Sequence, residues 1–425
     1  MKKYSLFVFV VLTTLLASCQ KDGIIDLESP QEQEMLLGMR ECKIDGVNYI
    51  FDLQYRTAKV RGCFKYCSDS ITIPATINYE GEIFKVTGIE DEAFSGCINL
   101  PAITIPASVV SIGSAAFAEC TNLTAVIIPE ESKLTHIGDY AFYNCERLSH
   151  ITIPEEITGI GERAFYNCNI TSITIPEDSR LTGISDYAFD NCRNLVTITI
   201  PENSQLKSIG DKAFYKCSSL VSITIPEGVT SIGGEAFSGC SSLTAVHISD
   251  IAAWCSIKFA DNDSNPLCYA NNLYLNGELV TELILPEQVM SIEAYAFYNC
   301  YSLTVITILD EVTNIGNYAF RGCSNLVSVT IPESVTNIGD RAFYWCYNLP
   351  SITIPASVTS IGDGAFSYCS GLKSIMVLAV TPPSTHSNTF GYDYSYNAEL
   401  YVLKEAQSTY QNTYPWSEFK TVKGF

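Results

Sequence analysis

Residues 112–129 read Ile112-Gly113-Ser114-Ala115-Ala116-Phe117-Ala118-Glu119-Cys120-Thr121-Asn122-Leu123-Thr124-Ala125-Val126-Ile127-Ile128-Pro129. Reduced to its fixed positions, the stretch is Ile-Gly-x-x-Ala-Phe-x-x-Cys-x-x-Leu-x-x-Ile-x-Ile-Pro, with Val126 in place of one Ile. The same grammar recurs along the chain. Ala-Phe pairs end at Phe94, Phe117, Phe142, Phe165, Phe189, Phe214, Phe237, Phe297, Phe320, Phe343 and Phe366, and a Cys follows each three residues later, from Cys97 to Cys369. Neighbouring Phe residues are 23–25 apart, save for one gap of 60 between Phe237 and Phe297. Eleven units in one register exclude coincidence and point to a repeat architecture rather than several globular domains.

Within a unit, Leu-x-x-Ile-x-Ile alternates apolar and polar positions as a half-buried strand does. The following Pro cannot donate to a ladder and stops the strand. Gly113 and its equivalents permit a tight backbone turn, and Ala-Phe is expected on a short helical turn at the back of each coil. Longer units carry small insertions, such as Glu131-Ser132-Lys133, expected to bulge at one corner. Each unit has too few apolar side chains to offset its own ordering entropy, so the units must stack and cover one another's flanks.

These residues resemble the BspA-like leucine-rich repeat over roughly residues 71–376. Departures are Ser185 and Glu293 at two Gly positions and Leu309 at a strand-ending Pro. The resemblance implies a leucine-rich-repeat right-handed β-α superhelix, a solenoid of about 11–13 coils with mostly short parallel strands and caps at both ends. It also implies surface exposure and, for some members, adhesion to host proteins or other cells. The expected organisation is an N-terminal β cap over 42–70, the solenoid over 71–376 and a C-terminal cap over 377–425. In the first cap, Ile44-Asp45-Gly46-Val47 reads as a hairpin turn. In the last, Trp416 and Phe419 are expected to close the final coil. The 60-residue gap holds an irregular, enlarged coil at 249–282. There Asp250 is placed to cap a helix through Ile251–Phe259, and Asn276-Gly277 to turn a hairpin.

The first 41 residues carry an address. Lys2-Lys3, an apolar run from Leu6 to Leu12 and the ending Leu16-Ala17-Ser18-Cys19 resemble a lipoprotein signal peptide over 1–18, with Cys19 the lipidated first residue. Residues 19–41 read as a flexible, acidic tether. Gln20 lacks the Asp that favours inner-membrane retention, so the expected location is the outer membrane, exposed at the cell surface. The whole chain has 425 residues, 25 Lys plus Arg and 46 Asp plus Glu, for a net charge of −21. That acidity argues against nucleic acid as a partner. The membrane is expected to be met only through the lipid.

Chemistry-bearing motifs are scarce. The repeated Cys residues are read as a ladder of small buried groups, because stacked equivalents have parallel Cβ directions unsuited to disulfides. Pairing of Cys255 with Cys268, or among the cap cysteines Cys42, Cys63 and Cys67, is left open. No Cys-x-x-Cys is present, so no zinc site is expected. Asp261-x-Asp263-x-Asn265 opens like a calcium loop but meets Pro266 where Gly is required, and is read as a polar turn. The four His residues fall in separate units. No enzyme, cofactor or metal is expected.

Surface positions are more informative. The outward centre of each strand carries Thr152, Thr174, Thr199, Thr224, His247, Thr330 and Thr353, together with Thr104 and Thr307. Thr suits any solvated strand, yet such a row also makes a smooth, weakly charged platform, and these residues are the candidate binding positions. Past the strands, Glu130, Glu155, Glu177, Glu202, Glu227, Glu287 and Glu333 are expected to form an acidic edge. Tyr143, Tyr166, Tyr215, Tyr298 and Tyr344 make a third stripe directly after Phe. The functional expectation is a non-enzymatic, adhesin-like surface lipoprotein presenting this face to host or neighbouring-cell surface and matrix proteins. The alternatives are a glycan-capture module serving nutrient uptake and a passive envelope spacer.

Overall fold

A computed structural model describes residues 39–63, 67–391 and 397–425. Cys19 and the expected signal peptide therefore lie outside the described residues. The chain winds into stacked coils, each giving two short strands to two parallel ladders. One ladder is built from strands such as Ser172–Thr174, Thr197–Thr199 and Ser222–Thr224, the Leu-x-x-Ile-x-Ile segment of each unit. The other is built from two-residue strands just before the repeat glycine, such as Ser111–Ile112 and His136–Ile137. This second ladder is absent from the sequence expectation, because two residues are too few to show a period of two.

The expected β-α superhelix does not form. Among the described residues, helix amounts to 6%, with three short α-helices. These are α1 (Ile251–Cys255), α2 (Leu267–Ala270) and α3 (Gln407–Gln411), none of them in a regular coil. The fold is a β-solenoid of many short parallel strands. The reason lies at Ala-Phe. Two residues before Phe142 and two after it, Tyr140 and Asn144 have φ of 58° and 57°, and every coil from Phe94 to Phe366 repeats this pair. A left-handed residue cannot sit inside a right-handed helix. The turn instead sends alternate N–H groups to the next coil: Tyr140 N–H to Glu162 O at 2.7 Å, Phe142 to Ala164 at 2.8 Å and Asn144 to Tyr166 at 2.9 Å. The intervening N–H groups close tight local turns, as in Cys145 N–H to Phe142 O at 3.1 Å.

Inside, the Phe rings form a spine. Centroids are 5.1 Å apart for Phe94–Phe117 and Phe117–Phe142, with planes within 4° of parallel. The spine lapses after Phe237 and resumes from Phe297 to Phe390. Trp254 bridges the gap, fully buried, its indole N–H donating to Ala296 O at 2.8 Å. Except at Cys97 and Cys300, the first of their runs, each repeat Cys thiol donates to the Phe carbonyl one coil back, as Cys120 does to Phe94 O at 3.1 Å and Cys217 to Phe189 O at 3.2 Å.

The repeat glycine serves close approach rather than a left-handed turn. A Cβ at Gly113 would lie 2.5 Å from Asp91 N, and one at Gly233 2.4 Å from Asp211 N. The longer units do not simply bulge outward. Their inserted Ser132, Ser179 and Ser204 are buried, and each hydroxyl accepts from the backbone two residues on, at 3.2–3.3 Å.

At the N-terminus, Met39–Ile44 and Val47–Asp52 form an antiparallel hairpin through left-handed Asp45 and Gly46. Thr57–Cys63 pairs antiparallel with the second strand and parallel with Glu82–Ile89, which passes the ladder to the repeats. At the other end, the parallel ladder runs on through Ser374–Val377, Glu399–Val402 and Thr421–Gly424. Trp416 and Phe419 pack against Phe390 with centroids 4.9 and 5.0 Å away. In the enlarged coil, Asp250 caps α1 by accepting from Ala253 N at 2.8 Å. The helix stops at Cys255, short of Phe259, because Lys258–Phe259 is drawn into the two-residue ladder beside Ser231–Ile232. Asn276-Gly277 turns the hairpin of Leu273–Leu275 with Glu278–Leu279.

Candidate binding surfaces

Strand pairing decides which of the candidate residues stand together. Thr174 pairs with Thr199, and Thr224 pairs with His247. Ser222 pairs with Thr197, so Thr174, Thr199, Thr224 and His247 make one in-register row. The row ends on Tyr274, whose ring lies 5.0 Å from the His247 imidazole. Thr152 is exposed just past His150–Ile151, in a separate sheet. Thr330 and Thr353 are exposed in two further sheets. Ser172, Thr197, Ser222 and Ala245 flank the row, so the platform carries no fixed charge. The seven Glu residues expected at the edge are all exposed.

The opposite turn face holds what the sequence reading missed. Two outward columns run along it, one at the left-handed position two before Phe and one directly after Phe. The first reads Tyr140, Arg163, Tyr187 and Lys212 in consecutive coils, then Tyr295, Tyr318 and Arg341 after the enlarged coil. The second contains the expected Tyr stripe but also Asp190 and Arg321. Cations and phenols interleave. Arg163 Cζ stands 3.9 Å from the Tyr187 ring centroid, and its Nη1 donates to Tyr140 Oη at 2.9 Å. The signal was available in the residues two before Phe, where Tyr alternates with Arg or Lys.

Cysteine chemistry is quiet. The repeat cysteines are free and buried, and burial pushes the Cys192 and Cys240 thiols up to about 12. Cys255 and Cys268 are unpaired, the latter thiol donating to Asp263 Oδ1 at 3.5 Å. Cys63 is bonded to Cys67, with Cys97 Sγ 3.7 Å from Cys63 Sγ. Their sulfurs make a compact trio, but the disulfide takes two of them out of service as metal ligands. Asp261 and Asp263 belong to a capped turn: Asp261 Oδ1 accepts from Ser264 N at 2.7 Å. Among the described residues, no helix is long and apolar enough to cross a membrane.

The BspA type leucine rich repeat region, in six copies, matches residues 60–181, 178–261 and 270–395. The chain belongs to the BspA-type leucine-rich repeat family. Domains of this family are generally non-catalytic scaffolds for binding. No curated protein matches it. Among solved structures it is similar to a leucine rich cell surface protein of Faecalibacterium prausnitzii A2-165, at 26% identity, covering 91% of this chain and 99% of that one, with a TM-score of 0.49. A leucine-rich repeat protein of Bacteroides ovatus shows 28% identity, 85% and 100% coverage and a TM-score of 0.49. The pneumococcal vaccine antigen PcpA shows 18% identity, 91% and 98% coverage and a TM-score of 0.47.

Proposed function

We propose that this BspA-type protein is a lipid-anchored surface lipoprotein whose strand face binds proteins of a host or neighbouring cell. The uncharged row of Thr174, Thr199, Thr224 and His247 carries the reading, because it is regular and solvated, with Tyr274 available as an aromatic anchor. The exposed Glu edge beside it favours a partner with a basic rim. Cys19, following Leu16-Ala17-Ser18, supplies the anchor, and Gln20, in place of the Asp that favours inner-membrane retention, supports the outer-membrane address.

Mature protein beginning at Cys19 should bind at least one immobilised matrix or cell-surface protein saturably. Thr199→Arg with Thr224→Arg should weaken that binding at least tenfold. Absence of saturable binding across a broad panel, or binding indifferent to the double variant, rejects this face as the platform. Protease added to intact cells should remove the repeats while leaving periplasmic markers whole. Cys19→Ala should release the protein from the membrane fraction.

A further inference from the structure

The turn face after the enlarged coil closes into a cleft of about 350 Å³ lined by Asn262, Tyr295, Tyr318, Arg321, Arg341 and Tyr344. We propose that this cleft binds a carboxylate-bearing sugar. It lies on a different face from the strand platform and stands whether or not that platform binds protein.

Charge makes the first part of the case. In the coils before the gap, the cations two residues before Phe are already answered: Arg163 pairs with Glu162, and Lys212 Nζ lies 3.4 Å from Glu235 Oε1. Arg321 is different. Its Cζ sits among the rings of Tyr298, Tyr344 and Trp345 at 5.2, 5.2 and 4.8 Å, and Nη1 donates to Tyr298 Oη at 2.8 Å. No carboxylate pairs with it among the described residues, and its buried Nε has no hydrogen-bond partner there. The nearby Asp263 Oδ1 is taken up by Asn262 and Cys268. Arg341, the second guanidinium, donates to Tyr318 Oη at 2.7 Å and reaches Asp363 only at 3.7 Å. In a chain of net charge −21, two guanidiniums lining one cleft, one of them without a carboxylate among the described residues, invite an anion.

The lining selects the kind of anion. Every lining side chain offers a phenol, an amide or a guanidinium, and none is aliphatic. Tyr318 Oη accepts from Arg341, which leaves its own proton free to donate outward. Such walls suit a ligand dense in hydroxyls, with a ring edge against Tyr and a carboxylate forked by guanidinium. An acidic peptide, poor in hydroxyls, would leave more of the phenol and amide groups without a partner.

Calorimetric titration of the mature full-length protein tests this, with oligogalacturonate and sialyllactose as separate carboxylated-sugar probes. Neutral galacto-oligosaccharide and poly-glutamate serve as comparison ligands. The expected result is saturable binding of at least one carboxylated sugar and none of the neutral one. Arg321→Ala should weaken it at least tenfold, and Arg321→Lys, which keeps the charge but not the fork, at least threefold. Arg163→Ala, on the same face before the gap, should leave it unchanged. Circular dichroism melting of each variant separates a lost site from a lost fold. No binding by either sugar, equal binding by a folded Arg321→Ala, or poly-glutamate binding as tightly as the sugars overturns the proposal.

Discussion

The coils before and after the enlarged coil share one interior and differ on the turn face. Phe165–Phe189 and Phe320–Phe343 stack with the same centroid separation of 5.3 Å. Cys192 and Cys346 donate alike to the Phe carbonyl one coil back. Outside, the first run neutralises its cations with Glu162 and Glu235 and buries Asp190 among them, while the second leaves Arg321 without a carboxylate among the described residues. Stacking fixes the inward positions in every coil, because a changed Phe disturbs two neighbours. The outward positions touch their equivalents only at their sides and are free to diverge. In such a repeat protein, specificity is carried by departures on the surface.

The shared interior implies equal costs on both sides of the gap. Phe214→Ala and Phe320→Ala should each destabilise by about 3–5 kcal/mol, measured by denaturant unfolding. A difference of several kcal/mol between them would show that the enlarged coil separates two units of unequal cohesion rather than continuing one stack. Next in size is the close approach at the glycines. Gly233→Ala and Gly339→Ala force a Cβ to 2.4 and 2.6 Å from backbone nitrogen and should each cost about 1–3 kcal/mol. A thermal midpoint unchanged in either variant would mean that the coils can part there.

Asp190 gives the comparison a pH dependence. Burial raises its carboxyl from 3.8 to about 6, against the opposing pull of Lys216, Arg163 and Lys212. The folded state therefore holds the proton more tightly than the unfolded chain. This group's contribution to stability is full below pH 3.8 and is lost as pH rises through about 6. Asp190→Asn should leave stability at pH 4 nearly unchanged and raise it at pH 7.5 by about 1–3 kcal/mol. A uniform effect across that range would show that the carboxylate is fully compensated by its cationic neighbours.

Much of this was legible in the chain, and the failures share a cause. The spacing of Phe, Cys, Leu and Ile sets the coil, the core and the strand face, because one-dimensional stacking turns sequence period directly into spatial neighbourhood. Ala-Phe misled because its local composition suits a helical turn. The contrary signal was Asn144, Asn167, Asn191 and Asn299, with Gly96, Gly239 and Gly322, each two residues after Phe, where the backbone is left-handed. Asn and Gly tolerate that conformation best. Partner residues two before Phe, such as Tyr140 and Arg163, do not advertise it, so the pair is visible only from one side. The cleft at Arg321 was hidden for another reason. Its six lining residues come from four coils, and one of them, Asn262, belongs to the segment where the period lapses.

The smallest expected effect tests whether the interior is as uniform as its geometry. Cys217 Sγ donates to Phe189 O at 3.2 Å and Cys346 Sγ to Phe320 O at 3.4 Å. Both thiols are buried, and that burial raises them well above their ordinary range. Ala at either position removes a weak donor and a little volume, for about 0.5–1.5 kcal/mol. The two losses should agree, since each buried thiol makes the same bond to the Phe carbonyl one coil back. Because the thiolate is the reactive form, alkylation of these cysteines in the native protein should proceed only through unfolding. Its rate should then rise in Phe214→Ala for thiols on both sides of the gap. Faster labelling confined to the first run would mean that the enlarged coil arrests the opening, and that the two halves, alike in packing, unfold as separate units.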